Sequence, residues 1–538
     1  MEPKPREPCG QEGCRETRYF WDEGQLFCRR GHQQAGPQAV DENENFGVQG
    51  KTHMVKKPAA EKIERKYRGR QAYRLYLHIY QLILWKQCHA LVHGRGFPPQ
   101  LENIVRDLWA LRLETYSKKI ADVGDENSQP EFFSSQPASA REDTETEAFT
   151  PGSKHVQWPR LIDTVALCYL GAILMRLPVS VGDFHRMTLS NEIPYYRVLL
   201  LIPHDMKGKL LPEYISLLDV TRLLKAEDLH TAVFDLLLLY QRQFKVQFPP
   251  LNAPPILYRL IRRLALPVDI YPVTKRLQTL LGFTFEYPTK VVGRRKPLDK
   301  PELQLVTLIV IATKLLFPFD DVQRHPTSVQ EPTVQSIDWD SWAEVQNRFN
   351  RRDESAGRIG KGKEILVHEG DVLDMNPDQL DEYMDWYETS WLDQGREKSK
   401  GPSPLASLFP LGSTPKGNRQ GGVAAEDDEE EDIELMLRMA PRYLKSRAVV
   451  SDSDPDILRP GSLYTRYRQE SDLPDSARVF YETAAKITGV SLATLVRCVS
   501  QAEVQINKWL GDQRRIKHFE GMEDLGERDI PHDDEYDE

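Results

Sequence analysis

Between residues 60 and 93 apolar side chains return at every third or fourth position, through Ala72, Leu75, Tyr76, Ile79, Leu82 and Ile83, with polar residues between them. That period lays the apolar residues along one stripe and predicts an amphipathic helix. Gly94 and Gly96 end it, and after Pro98 and Pro99 a second stripe through Leu101, Ile104, Val105, Leu108 and Leu111 predicts a helix ending near Ile120. Residues 161–177 are apolar on nearly every face, the pattern of a helix at the centre of an all-helical domain. Further helices are predicted at 212–224, 227–246, 254–265, 273–281 and 302–316, with little strand-like alternation anywhere. The order suits two successive bundles of about five helices, 60–224 and 225–395, joined near 224–227. A last helical region is expected over 477–510, inside a C-terminal segment 436–538.

Composition separates these elements. Residues 37–59 are polar and aperiodic and read as a linker, and 122–157 turn to Ser, Pro, Glu and Asp, a disordered insertion within the first bundle. Residues 396–435 read as a disordered linker that closes on the acidic run 426–434, and the last twenty or so residues as a solvated acidic tail. The net charge of -10 comes from 71 Lys and Arg against 81 Asp and Glu, sharply segregated: 51–74 is basic, 426–434 and 533–538 nearly pure acid. Charge therefore excludes no partner class and suits nucleic-acid contact in one place only. Six cysteines, three of them within the first 28 residues, are too few and too uneven for a disulfide framework, which favours a reducing compartment. Neither a secretory signal nor an apolar run of roughly 20 residues is present, so the chain is expected to be soluble, intracellular and without a membrane partner.

The first 36 residues carry few aliphatic side chains and need a staple other than a core. Cys9 and Cys14 form C-x4-C, and thirteen residues later Cys28 and His32 form C-x3-H. Four such ligands in two knuckles are what tetrahedral zinc requires. The residues 19–21 and 26–27 look like short strands about the turn 22–24, so a zinc ribbon is predicted. With four protein ligands the shell is closed, and the single zinc is expected to be structural.

Other patterns are weaker. Cys88, His89 and His93 lie on one predicted helix without the Glu of a zincin and read as a helix end near a core. The stretch GRIGKGKE at 357–364 resembles a phosphate loop but has Glu where Ser or Thr would hold magnesium, and reads as a flexible loop. Lys56, Lys57, Lys62, Arg65, Lys66, Arg68 and Arg70 form a basic cluster suited to phosphate neutralisation, although a solvated helix face would look the same. Asp163, Asp183, Asp320 and Asp321 are scattered carboxylates with no paired His or Ser, and no catalytic constellation is found.

An N-terminal ribbon, a polar linker and two helical bundles in that order resemble transcription factor IIB and its relatives. The stretches RKYRGRQAYRLYLHIYQLIL (65–84), WPRLIDTVALCYLGAILMRLPVSVGDFHR (158–186), VTLIVIATKLLFPFDD (306–321) and CRRGHQQAG (28–36) are similar to the fungal family of the IIB-like component of the RNA polymerase I core factor. Its animal counterpart is a TATA-binding-protein-associated factor of the same polymerase. The resemblance covers roughly 1–36 and 60–395. It implies a mostly α chain: a small β zinc ribbon, then two consecutive cyclin-like bundles and a helical C-terminal region with acidic disordered segments. The ligand set carries over to Cys9, Cys14, Cys28 and His32. It further implies a non-enzymatic initiation factor of the nucleus and nucleolus. The ribbon would dock on RNA polymerase I, residues 37–59 would reach toward the polymerase cleft, and the bundles would hold ribosomal DNA promoter with other core-factor subunits and the TATA-binding protein. The alternatives are a IIB-like factor for another RNA polymerase, a cyclin-like kinase regulator, which would need neither ribbon nor basic linker, and a zinc enzyme, which the closed ligand set disfavours.

Overall fold

The structure, a computed structural model, describes residues 9, 13–17, 19–22, 25–34, 66–125, 158–289, 295–391, 424–451 and 457–528. The chain divides into two compact units, 1–63 and 64–538. The first holds a three-stranded antiparallel sheet of β1 (Tyr19–Asp22), β2 (Gln25–Cys28) and β3 (Gln33–Gln34), in that spatial order. Tyr19 pairs with Cys28 and Phe27 with Gln33, so the second cysteine knuckle lies between β2 and the short third strand.

The second unit is helical and contains two cores. The first is built by α1 (Gly69–Arg95), α2 (Gln100–Asp125), α3 (Ile162–Leu174), α4 (Val181–Leu189) and α7 (Ala226–Phe244), with the short α5 (His204–Lys209) and α6 (Pro212–Leu218) before the last. Helix α3 is the hub, buried on every face from Asp163 to Ile173. Gly171 permits its close approach to α2, since a Cβ there would lie 2.7 Å from a methyl of Val105. Helix α1 begins at Gly69 rather than near residue 60. Residues 60–65 lie outside the described residues, whereas 66–68 are extended, because the Tyr67 N–H donates to the Lys209 carbonyl at 2.8 Å instead of to a helical turn. Its other end is where the glycines put it, with Gly96 in the left-handed conformation at φ 68°.

Helix α7 packs on α3 and supplies Leu229, Val233, Phe234, Leu237 and Tyr240 to the first core. By packing, the changeover between cores falls between Phe248 and Leu251, so α7 sits on the first core. The second core gathers α8 (Ala253–Arg263), α9 (Ile270–Leu281), α10 (Pro301–Leu316) and α11 (Trp339–Asn350) around α10, with α12 (Arg352–Ser355) after them. Helix α13 (Pro377–Trp391) adds no buried residue. The missing elements come from the end of the chain: α16 (Asp475–Thr488) and α17 (Leu492–Arg528) contribute Ala477, Phe480, Tyr481, Leu495, Val499 and Ala502 to the same core. The C-terminal region is thus no separate appendage but the completing wall of the second bundle, and α17 continues helically to Arg528 where a structureless tail is predicted.

The acidic run is also corrected. It forms α14 (Ala424–Arg438), followed by the one-turn α15 (Ala440–Tyr443) and by β5 (Leu444–Ser446), which pairs with β4 (Gln335–Ile337). Ile433 and Met436, three apart on one face, are buried in the second core, while Glu430 meets Arg262 at 2.9 Å and Asp432 meets Arg352 at 2.6 Å. Glu430 and Asp432 are tolerated in the helix because cations from α8 and α12 stand opposite them. Of the segments predicted to be disordered, 122–125 instead continue α2 to Asp125, whereas 126–157, 396–423 and the tail residues 529–538 lie outside the described residues.

A buried polar seam joins the two bundles. Glu302 at the start of α10 accepts the Tyr169 hydroxyl from α3, and both its oxygens approach the Val181 N–H, at 2.9 and 3.1 Å, capping α4 from the other bundle. Reciprocally, Glu227 of α7 accepts the Ser491 N–H and the Thr494 hydroxyl at 2.9 Å each, capping α17, and His230 Nε2 lies 3.2 Å from the Thr488 carbonyl. Gly182 is obligatory here, as a Cβ would come within 2.5 Å of the Ile487 carbonyl oxygen.

Candidate metal centre and basic approach

The four cysteine and histidine donors are brought together by two turns. In the first, Gly13 at φ +80° allows the chain to fold back so that the Cys9 N–H donates to the Glu16 carbonyl at 3.0 Å, which accommodates the long C-x4-C spacing. In the second, the Cys28 N–H donates to the His32 carbonyl at 2.9 Å and the Gly31 N–H to the Cys28 carbonyl at 2.8 Å. The donor atoms of Cys9, Cys14, Cys28 and His32 all lie within 4.8 Å of one another. His32 Nδ1 is 3.5 Å from Cys28 Sγ and 4.0 Å from Cys9 Sγ. Tetrahedral zinc with bonds of about 2.0–2.3 Å needs donors roughly 3.5–3.8 Å apart, so these residues fit one ion through His32 Nδ1. Burial would raise the Cys28 thiol, but the N–H groups of His32 and Arg30 outweigh it and bring it down to about 7, toward the thiolate a metal requires. The three cysteines and Tyr19 are the whole described apolar cluster of this unit.

Among the described residues no other group of His, Cys, Asp or Glu is placed to hold a metal. Cys88 points into the first core, its Sγ 3.6 Å from that of Cys168, whereas His89 and His93 are exposed, their rings tilted by 40° with centroids 4.2 Å apart. The four scattered carboxylates lie in separate surroundings. Asp163 is buried against Arg112 at 2.9 Å, Asp183 accepts the N–H of Ser180, the cap of α4, at 2.8 Å and meets Arg259, Asp320 takes Arg324 in a two-point pair at 2.6 and 2.8 Å, and Asp321 is exposed. The glycine-rich stretch at 357–364 holds its own anion, because Glu364 accepts the Gly362 N–H, and Lys363 reaches the Asn350 carbonyl at 2.9 Å. Lys361 pairs with Glu192 of the first bundle at 2.8 Å, so the loop ties the bundles together.

Of the basic cluster, Lys56, Lys57, Lys62 and Arg65 lie outside the described residues. Lys66 and Arg68 belong to the extended entry to α1, and Arg70 is half-buried in its first turn. The Tyr67 bond to Lys209 brings α5, with Lys207 and Lys209, beside that entry. Sequence reasoning misses those two lysines, since nothing at that distance along the chain signals the pairing.

Family comparisons agree in order with this architecture. Residues 4–36 match the zinc finger of RNA-polymerase I-specific TFIIB, Rrn7, residues 80–204 the Rrn7/TAF1B N-terminal cyclin domain, and residues 222–391 the Rrn7/TAF1B C-terminal cyclin domain. The last match includes α7, which follows the order of the chain, while packing assigns that helix to the first core. A metal ribbon ahead of two cyclin domains makes this a protein of the IIB-like class. Within that class, the chain belongs to the Rrn7/TAF1B family. It is similar to RNA polymerase I-specific transcription initiation factor rrn7 of Schizosaccharomyces pombe, 27% identical over 436 residues, which cover 75% of this chain and 79% of that one. The factor RRN7 of Saccharomyces cerevisiae is 20% identical over 264 residues, covering 48% of this chain and 45% of its own. A crystal structure of S. cerevisiae core factor shares the fold, with a TM-score of 0.50 at 15% identity over 82% of this chain and 98% of that one.

Proposed function

We propose that this chain is an RNA polymerase I-specific transcription initiation factor that works without catalysis, as one component of a core factor on the ribosomal DNA promoter in the nucleus and nucleolus. The observation that carries the reading is the unbroken order of ribbon, first cyclin bundle and second cyclin bundle, each matched by the corresponding module of one family. In this reading the ribbon, a unit separate from the helical body, docks on the polymerase, and the helical body holds promoter DNA, the TATA-binding protein and the other core-factor subunits. The closed four-ligand zinc shell is a scaffold in it, with Cys9, Cys14, Cys28 and His32 as the ligands. Deleting residues 1–36 is expected to leave assembly with the other subunits intact and to abolish promoter-dependent transcription. Normal transcription by the truncated chain would remove the docking role of the ribbon.

The basic approach to α1 supports DNA contact. Each Lys or Arg that neutralises a phosphate releases counterions, so binding weakens with salt by roughly 0.9 log units per contact on a log scale. Replacing Lys56, Lys57, Arg68 and Arg70 by Ala is expected to weaken DNA association of the assembled complex and to make the salt slope shallower by up to about four units, with zinc content unchanged. A titration against salt decides it: an unaltered slope assigns these residues to protein contacts or to a solvated face.

A further inference from the structure

Helix α13 meets the body along the side that carries Gln379 and Glu382, and again at its last residue, Trp391. Glu382 accepts the Ile359 N–H at 2.8 Å, Gln379 reaches the Arg358 carbonyl at 3.5 Å, and the Arg197 guanidinium lies over the Trp391 ring, 4.6 Å from its centroid. With 3.6 residues per turn, Glu382 and Gln379 fix which side faces out, while Trp391, the last residue of the helix, ends the outward stripe with its ring stacked on that of Tyr387 at 6.1 Å. On it, Leu380, Met384 and Tyr387 follow one another at i, i+4 and i+7 and are 39, 55 and 40% exposed. Beside this stripe runs a second row, Asp378, Asp381 and Asp385, also exposed, and among the described residues no ion pair reaches any of the three. The helix contains no Lys, Arg or His at all.

Single exposed apolar residues need no explanation, but a row in helical register does, because it is the pattern by which a helix is normally buried. A helix of 15 residues gains little from propensity alone, and this one has no fully buried residue, its Trp386 and Trp391 being only half-buried against the chain. Its acidic row repels phosphate, which rules out nucleic acid as what covers it and calls for a cationic protein surface.

We infer that the outward face of α13 docks a basic amphipathic segment of another core-factor subunit. Apolar residues of that segment lie on Leu380, Met384 and Tyr387, and flanking Lys or Arg side chains meet Asp378, Asp381 and Asp385. The inference rests on the reading of this chain as a core-factor component and adds to it the surface used.

The test uses the full-length chain reconstituted with the other core-factor subunits, with assembly measured across a range of salt. Asp378→Lys/Asp381→Lys/Asp385→Lys together, and separately Leu380→Ser/Met384→Ser, are expected to weaken assembly by about tenfold or more, and the charge reversal to flatten its salt dependence. Wild-type chain that fails to assemble overturns the core-factor reading and the inference with it. Wild-type chain that assembles no better than the variants overturns the docking surface alone. A photo-crosslinker at position 384 in an otherwise native sequence removes any ambiguity from misfolded variants. Crosslinks to a Lys- or Arg-flanked segment of another subunit support the inference. Crosslinks confined to a second copy of this chain, or to its own basic residues Lys508, Arg514, Arg515 and Lys517, overturn it.

Discussion

Cys28→Ser is expected to abolish zinc binding and unfold the ribbon while the helical body keeps its full ellipticity. The side chain of Cys28 is completely buried, and its residue anchors both the β1 pairing with Tyr19 and the turn that presents His32. A serine hydroxyl supplies no thiolate, and among the described residues of this module the apolar cluster is three cysteines and one tyrosine gathered at the metal site. Metal binding in such modules contributes on the order of 10 kcal/mol of apparent folding free energy, more than a sheet of this size can replace. The helical unit has its own cores and does not share that loss. Metal analysis of the purified chain should find one equivalent of zinc in the wild type and none in Cys28→Ser or His32→Ala. An unchanged zinc content in both variants would sink the ligand assignment.

The second large effect lies at the seam. Glu302 is fully enclosed, and burial raises its carboxyl to about 7, against the opposing pull of the Tyr169 hydroxyl and the Val181 N–H. A carboxyl raised on folding binds a proton more tightly in the native state. Its stabilising contribution is therefore complete below about 4.5 and is lost as pH rises through about 7. His230 acts in the opposite sense. Burial, reinforced by Lys300, lowers it to about 3, so its contribution is present above about 6.5 and lost as pH falls. The two slopes oppose each other between about 4.5 and 6.5, which hides both in the wild type. Glu302→Gln uncovers them. Gln keeps an oxygen acceptor for Val181 but does not titrate, so wild-type stability minus variant stability should fall by on the order of 3 kcal/mol between about pH 4.5 and 8. Denaturant titrations that run parallel for the two proteins at every pH would show that Glu302 carries no such proton. Glu302→Ala should be destabilising throughout, because an orphaned buried N–H or hydroxyl costs about 1–3 kcal/mol.

The readable parts of this chain are those whose cause is local. The stripe from Ala72 to Ile83, the all-apolar run of α3 and the left-handed stop at Gly96 are dictated by neighbours a few residues away, and the metal ligands by spacing within 24 residues. The misreadings are all long-range. Glu430 and Asp432 read as solvated because the arginines that face them, Arg262 and Arg352, are distant in sequence, and the two buried side chains Ile433 and Met436 are a faint signal among acids. Helix α7 has the same amphipathic pattern whichever bundle receives it, and only packing on α3 decides. The last wall of the second bundle lies beyond a segment of linker composition, which breaks the count of helices at 395. Capping by Glu302 and Glu227 from one bundle to the other leaves no mark in the sequence, since a buried carboxylate and an exposed one are spelled alike.

That late wall also sets an order of events during synthesis. The apolar side chains of the first core extend no further than Tyr287, so that core can collapse while the rest of the chain is still being made. The second core opens with Leu251 and is not complete until Ala502 has left the ribosome. At translation rates of roughly 5–20 residues per second the wait lasts on the order of tens of seconds, during which the apolar surface of α10 has no permanent cover. A nonsense mutation that removes only α16 and α17 should therefore be as damaging as an early one, yielding a well-folded first half and a sticky second half that chaperones must hold or proteases remove.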